Sequence, residues 1–278
     1  MLLKSPVNRI GGKYYLVDWL VSKLPCHVLS CEPFCGAGHL LFAKEPSPVE
    51  ILNDVDHHLI GFFRVIQYPE TRQMLIEKLN YMPYSRSLWN RIRSQWKAGD
   101  IPQDEIERAA WWYYLNRTTF SGDQKGGGFA VPSITGRNPC TSFRNTIKTL
   151  DDVAERLRGV IIENLPYAEC FRRYDSPETL FYCDPPYLNT EHYYGKNSFS
   201  QDDHCKLAKL LNEAKAKVMV SHYQNGLYDE LYREWNKATY QSFKGSHKAE
   251  PGTEKPVTVE CLWTNFEPKQ RGLFDAME

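Results

Sequence analysis

Two rhythms of apolar and polar positions run through the chain. In the first, short apolar runs close on a glycine, a proline or an acid and alternate with amphipathic stretches. It predicts a helix over 14–24 (YYLVDWLVSKL), a strand at 28–31, a glycine-bearing turn at 34–38 and a helix over 38–43. A strand over 50–54 that ends in an acid and a helix over 57–67 follow. From 69 to 159 only helical spacing remains, with helices predicted over 70–81, 85–98, 104–116 and 143–158, the last stopped by Gly159. A glycine-rich stretch from Ser121 to Phe129 interrupts them and predicts an exposed loop or hairpin. Strands return at 179–183, 217–222, 238–243 and 258–264, with helices over 201–214 and 227–235. Ser200 and Asp203 form a capping-box pattern before the first of these helices.

This alternation predicts an α/β fold, and its strand–turn–helix–strand–acid opening is the outline of a nucleotide-binding βαβ unit. With 278 residues, 42% hydrophobic and 13% aromatic, the chain can bury a real core. A formal net charge of +0 argues against a nonspecific nucleic-acid coat, but a local basic face is enough for DNA binding. The eight cysteines contain no C-x-x-C pair and read as reduced thiols. No metal is expected, because the histidines lack ligand spacing. Without a signal peptide or a membrane-length apolar span, a cytoplasmic location is expected.

The candidate chemistry lies at strand ends. Asp184-Pro185-Pro186-Tyr187 follows the run Leu180–Cys183. Two prolines give no backbone N–H and cannot continue a ladder, so they set a rigid elbow where α/β sheets bind ligands. An acid, a fixed carbonyl and a flat ring suit a planar group bearing an amine. Glu32-Pro33-Phe34-Cys35-Gly36-Ala37-Gly38 places two glycines between strand and helix, where backbone amides can approach a ligand. Asp54 ends the next strand and suits ribose hydroxyls, or else caps the helix that begins near 57. Gly11-Gly12-Lys13 either brings a cation to the ligand or makes a surface turn.

Taken in order, GGK, EPFCGAG, ILNDVD, YLNRTTFSG with GGGF, and DPPY resemble the Dam-type adenine-specific DNA methyltransferases. Ser198-Phe199 with His204, Val220-Ser221-His222 and the strand from Glu260 to Asn265 extend the resemblance over roughly residues 6–266. Glu32 stands where Asp is more usual and should keep the acid's role at slightly longer reach. The resemblance implies a Rossmann-like S-adenosylmethionine-dependent sheet over 1–68 and 160–278, with 69–159 as an inserted, mostly helical DNA-recognition domain. It implies S-adenosyl-L-methionine as cofactor, held by Gly11, Glu32, Pro33, Phe34, Gly36, Gly38, Asp54 and Asp184. Asp184, Pro185, Tyr187 and Lys13 are the expected catalytic residues.

Double-stranded DNA is the expected partner, with the target adenine flipped out of the helix. Five basic residues against one acid lie between Arg117 and Lys148. Arg117, Phe120, Ser121, Gln124, Lys125 and Arg137 are the expected DNA contacts, although Arg117 suits bracing the loop as well. For Arg144 and Lys148, DNA contact and a solvated helix face are equally open. GATC-reading relatives carry Asn-Gly-Leu and then an arginine where this chain has Ser121–Lys125, so the resemblance does not carry over a target sequence. The same scaffold suits cytosine's exocyclic amine, RNA adenine, or a binding module without catalysis. A monomer is expected, and the resemblance leaves room for a cognate restriction endonuclease.

Overall fold

The computed structural model describes residues 3–9, 11–123, 126–134, 136–188, 199–243 and 257–268. Its strands are β1 (Leu29–Glu32), β2 (Val49–Asn53), β3 (Val160–Glu163), β4 (Thr179–Cys183), β5 (Lys217–Tyr223), β6 (Asn236–Phe243) and β7 (Val257–Thr264). They make one sheet in the order β3-β2-β1-β4-β5-β7-β6. The first five are parallel, and β7 runs antiparallel to both β5 and β6. Strand order reverses between β1 and β4, so the loops leaving these two strands border one crevice at their carboxyl ends.

Alternating side chains give the central strands two buried faces. Leu180, Tyr182, Met219 and Leu262 pack on α1 (Val17–Val21) and α2 (His39–Ala43) through Leu20 and Leu40. Phe181, Cys183, Val218, Val220 and Trp263 face α9 (Tyr167–Tyr174), α10 (Gln201–Asn212) and α11 (Gly226–Leu231) through Phe171, Leu207 and Tyr228. Each such buried side chain contributes roughly 1.5–3 kcal/mol.

A third core joins α3 (His57–Gln67) to α4 (Pro69–Tyr81), α5 (Arg86–Ala98), α6 (Glu105–Thr118), α7 (Pro139–Lys148) and α8 (Leu150–Leu157). Side chains cap three of these helices: Asp56 before α3, Ser85 before α5 and Asp104 before α6 each accept backbone amides. Gly99 ends α5 at φ 80°, the left-handed conformation that glycine adopts without strain. α6 is apolar nearly all round and therefore central, with Tyr113 stacked on Phe62 at 4.5 Å.

Three expected elements change shape. The helix expected over 14–24 shortens to α1, because residues 13–16 form a turn (Leu16 N to Lys13 O, 2.8 Å) as Lys13 points inward. The helix expected over 143–158 begins earlier, at Pro139 behind the Asn138 cap, and divides at Thr149. There the hydroxyl donates to the Thr146 carbonyl at 2.9 Å, competing with the helical ladder. The helix expected over 227–235 ends at Leu231. β3 and α9 occupy a stretch where no element was expected; among the described residues β3 is a short edge strand that pairs only with β2. The Ser200–Asp203 capping box forms as expected. Among the described residues no helix is long and apolar enough to cross a membrane.

Candidate active site

At the carboxyl end of β4, Asp184 accepts the Lys13 ammonium at 2.9 Å and the Ser221 hydroxyl at 2.8 Å. Both contacts fall on Oδ1, and Asp184 lines the cleft described below. The parity of β4 explains this placement: Asp184 continues the face of Leu180 and Tyr182, the side packed against α1 and α2. Lys13 is 4% exposed; its ammonium also donates to the Gly11 carbonyl (3.0 Å) and lies 4.4 Å from the Tyr187 ring centre. Tyr187 is fixed from three further directions. Its hydroxyl donates to Glu260 at 2.9 Å, its ring stacks on His222 at 4.4 Å, and Tyr223 meets it edge-on at 4.7 Å.

Glu260 also accepts the Tyr15 hydroxyl at 3.0 Å. Burial raises its pKa, with Lys13 opposing and Asp184 reinforcing the shift. His39, first residue of α2, lies over the Gly-Gly-Lys loop, and a Cβ on Gly12 would come 2.8 Å from its Nε2. Burial and then the Lys13 charge lower its pKa to about 4, so it is neutral near pH 7. Glu260, Ser221, His222 and His39 had no assigned role in the sequence reading. The Val-Ser-His run and the late Glu-Cys-Leu-Trp strand were the available signals.

Across the crevice, Gly36 and Gly38 take left-handed conformations at φ 49° and 65°. A Cβ on Gly36 would point into open space, whereas one on Gly38 would press on Phe42 at 3.3 Å. Gly36 thus leaves the cleft side clear and Gly38 serves packing; Gly38 does not line the cleft. Asp54 follows β2 and holds this turn: Oδ2 accepts the Gly36 amide and Oδ1 the Asp56 amide, both at 2.9 Å. The cap of α3 is Asp56, not Asp54, and Asp56 is paired with Arg9 at 2.6 Å. Glu32 is 2% exposed, and its Oε1 has no hydrogen-bond partner. Burial, opposed by Lys44, pushes its pKa up to about 8.

The recognition side begins at the end of α6. Asn116 pairs with both backbone groups of Asn8 (2.9 and 2.7 Å), and Arg117 donates to the Asn8 side chain at 2.6 Å and to Thr146 at 2.8 Å. Arg117 therefore braces the N-terminal segment against α6 and α7. Residues 118–120 and 128–130 pair as the base of a hairpin through Phe120 N to Gly128 O and Ala130 N to Thr118 O, both at 2.8 Å. Phe120 is 62% exposed at its base, and Ser121 is the one non-glycine residue with positive φ (58°) among those described. Gln124 and Lys125 lie outside the described residues. Arg144 does neither of the things expected of it: its guanidinium caps the last carbonyls of α4, at Leu79, Asn80 and Met82.

A single cleft of about 2440 Å³ gathers Lys13, Glu32, Gly36, Asp54, Asp184 and Tyr187 together with Arg117, Phe120, Ser121 and Arg137. A separate groove of about 930 Å³ between α4, α5 and α6 holds none of them. The chain is 29% identical to the DNA adenine methylase of Vibrio cholerae over 237 residues, covering 80% of this chain and 82% of that one. It is 28% identical to the type II methyltransferase M.MjaIII of Methanocaldococcus jannaschii, over 85% and 90% of the two chains. Identity to the DNA adenine methylase of Escherichia coli K12 is 27%, over 89% and 90%. Residues 10–245 match the family description "D12 class N6 adenine-specific DNA methyltransferase", a span that runs from the Gly-Gly-Lys loop through β6. With a reversing α/β sheet, an acid–proline–proline–tyrosine elbow at its switch point and that match over most of its length, the chain belongs to the D12 class of N6 adenine-specific DNA methyltransferases.

Proposed function

We propose that the protein transfers a methyl group from S-adenosyl-L-methionine to the 6-amino group of an adenine flipped out of duplex DNA, with the crevice between β1 and β4 as the reaction site. The observation that carries this reading is the meeting in one cleft of the Asp184 carboxylate, fixed by Lys13 and Ser221, with an open glycine turn. The turn suits the methyl donor. Gly36 has room where a side chain would stand, and the unpartnered Glu32 Oε1 suits an ammonium group. Each Asp54 oxygen, already accepting one amide, keeps a lone pair for a ribose hydroxyl. The bound cofactor supplies an electrophilic methyl on a sulfonium.

The residues then prepare the amine. Adenine's amino lone pair is delocalised into the ring, so the nitrogen must become tetrahedral to react. Asp184 Oδ2 and the Pro185 carbonyl accept its two hydrogens and draw it toward that geometry. With the cofactor bound in the glycine turn, the nitrogen lone pair would form the new N–C bond as the S–C electron pair stayed with sulfur. Asp184 is the acceptor at hand for the proton the nitrogen sheds. Tyr187 offers its ring face to the base; Lys13 covers that face here, so base entry requires the ammonium to shift along the carboxylate. Orientation of this kind is worth several orders of magnitude in rate.

Flipping costs a few kcal/mol, and in this reading Phe120, exposed to solvent, fills the vacated stack. Arg137 contributes phosphate or base contacts from the same cleft wall, with Gln124 and Lys125 as further readers. The test is Asp184→Ala. Methyl incorporation into unmethylated DNA should vanish while S-adenosylmethionine still raises the melting temperature. Normal incorporation would refute the assigned role, and hydrolysed product DNA should contain methylated adenine and no methylated cytosine.

A further inference from the structure

We infer that His222 is a positioning residue for methyl transfer, fixing the exit of the Asp-Pro-Pro-Tyr elbow by accepting the Leu188 amide while its ring supports Tyr187. The inference rests on the catalytic reading of Asp184 and Tyr187 above. β5 sends consecutive side chains to opposite faces of the sheet, and it brings both faces to bear on one motif. Ser221 reaches the entry of the elbow by bonding Asp184 Oδ1 at 2.8 Å. His222, 1% exposed, reaches the exit, where the Leu188 N–H donates to its Nε2 at 3.0 Å.

Pro185 and Pro186 have no N–H, so the first amides able to tie the elbow down belong to residues 187 and 188. The Leu188 bond is therefore a scarce anchor. Its ring partner is equally constrained, since His222 lies between Tyr187 (4.4 Å, 30°) and Tyr228 (4.0 Å, 26°). On Tyr187's other face sits the Lys13 ammonium.

The two hydrogen bonds specify one protonation state. Nε2 accepts from a backbone amide and carries no proton, whereas Nδ1, 2.8 Å from the Tyr223 carbonyl, must carry one. An imidazolium would lose the Leu188 acceptor. The surroundings oppose that charge. The His204 ring faces His222 edge-on at 5.8 Å, Tyr187 and Tyr228 cover its faces, and no carboxylate bonds to it among the described residues. Burial, with the Lys13 charge adding and the Tyr223 bond opposing, lowers the pKa to about 4.

The experiment compares His222→Phe, which keeps a ring and removes the acceptor, with His222→Gln, whose amide oxygen can replace Nε2. Single-turnover methyl transfer to unmethylated genomic DNA and S-adenosylmethionine affinity are read on both. We expect His222→Phe to slow transfer by between about tenfold and 100-fold with cofactor affinity within about twofold, and His222→Gln to recover most of the rate. An unchanged rate in His222→Phe, or equal losses in both variants, overturns the role. Hydrogen exchange on the unaltered protein needs no variant to fold. The Leu188 amide should be protected at neutral pH and lose protection toward pH 4; no protection at neutral pH overturns the inference. Asp184→Ala run alongside separates the two readings: activity there refutes the site, while its loss beside an active His222→Phe refutes only this step.

Discussion

The elbow after β4 and the hairpin after α6 border the same cleft but are built in opposite ways. Every functional group at the elbow is held by others: Asp184 by Lys13 and Ser221, Tyr187 by Glu260 and His222. At the hairpin the backbone is fixed, by Asn116, Arg117 and the Thr118–Ala130 bond, while the side chain of Phe120 stands in solvent. Chemistry on a small amine needs preset distances, which buried bonds supply. Entry into a duplex needs side chains whose own contacts cost nothing to give up. The contrast teaches where each kind of damage should appear: elbow variants in rate and stability together, hairpin variants in DNA engagement alone.

Lys13→Ala should show the largest effect. Removing the buried ammonium leaves Asp184 tied by Ser221 only, and single-turnover transfer should fall by about 100-fold or more. Near-normal turnover would show the ion pair to be incidental. Glu260→Ala removes the carboxylate that accepts the Tyr187 and Tyr15 hydroxyls, so we expect a stability loss of about 1–3 kcal/mol in denaturant titration and a roughly tenfold slower reaction. Loss of stability without a slower reaction would divorce Tyr187 from the chemistry. Phe120→Ala should leave stability within about 0.5 kcal/mol, as exposed positions do. Its DNA-dependent rate should drop about fivefold, and base extrusion, followed with a fluorescent adenine analogue, should weaken. A large stability change there would erase the distinction between the two regions.

The smallest expected effect concerns pH. Glu32 has a folded-state pKa near 8, above its unfolded value, so the folded chain binds the extra proton. Its contribution to stability is complete below about pH 4.5 and is lost as pH rises through about 8. Glu32→Gln should therefore flatten the fall of the melting temperature between these limits. An unaltered slope would mean that Glu32 is ionised in the fold.

The parts of this arrangement that were legible in sequence are local ones. Prolines 185 and 186 fix an elbow wherever they follow a strand, and Gly36 and Gly38 take positive φ for reasons written in their own residues. Glu260 was not legible as a site residue. It lies 73 positions from Tyr187 and comes beside it only because β7 turns antiparallel and pairs with Tyr223 of β5. Arg144 was misjudged for a similar reason. Its partners are carbonyls at the end of another helix, a need that no side-chain pattern announces. β3 escaped notice because an edge strand of four residues after Gly159 carries too few positions to display alternation.

In the reaction proposed above, Asp184 offers the amine one oxygen and Pro185 adds one carbonyl. A primary amine fills this pair with its two hydrogens. Once methylated, the nitrogen has a single hydrogen to offer and a carbon where the other had been. The finished base is thus gripped more loosely than the one that entered, and a second alkylation would lack half its anchorage. In the proposed site, release of the product and restraint at one methyl per adenine would both follow from the same shortage of acceptors.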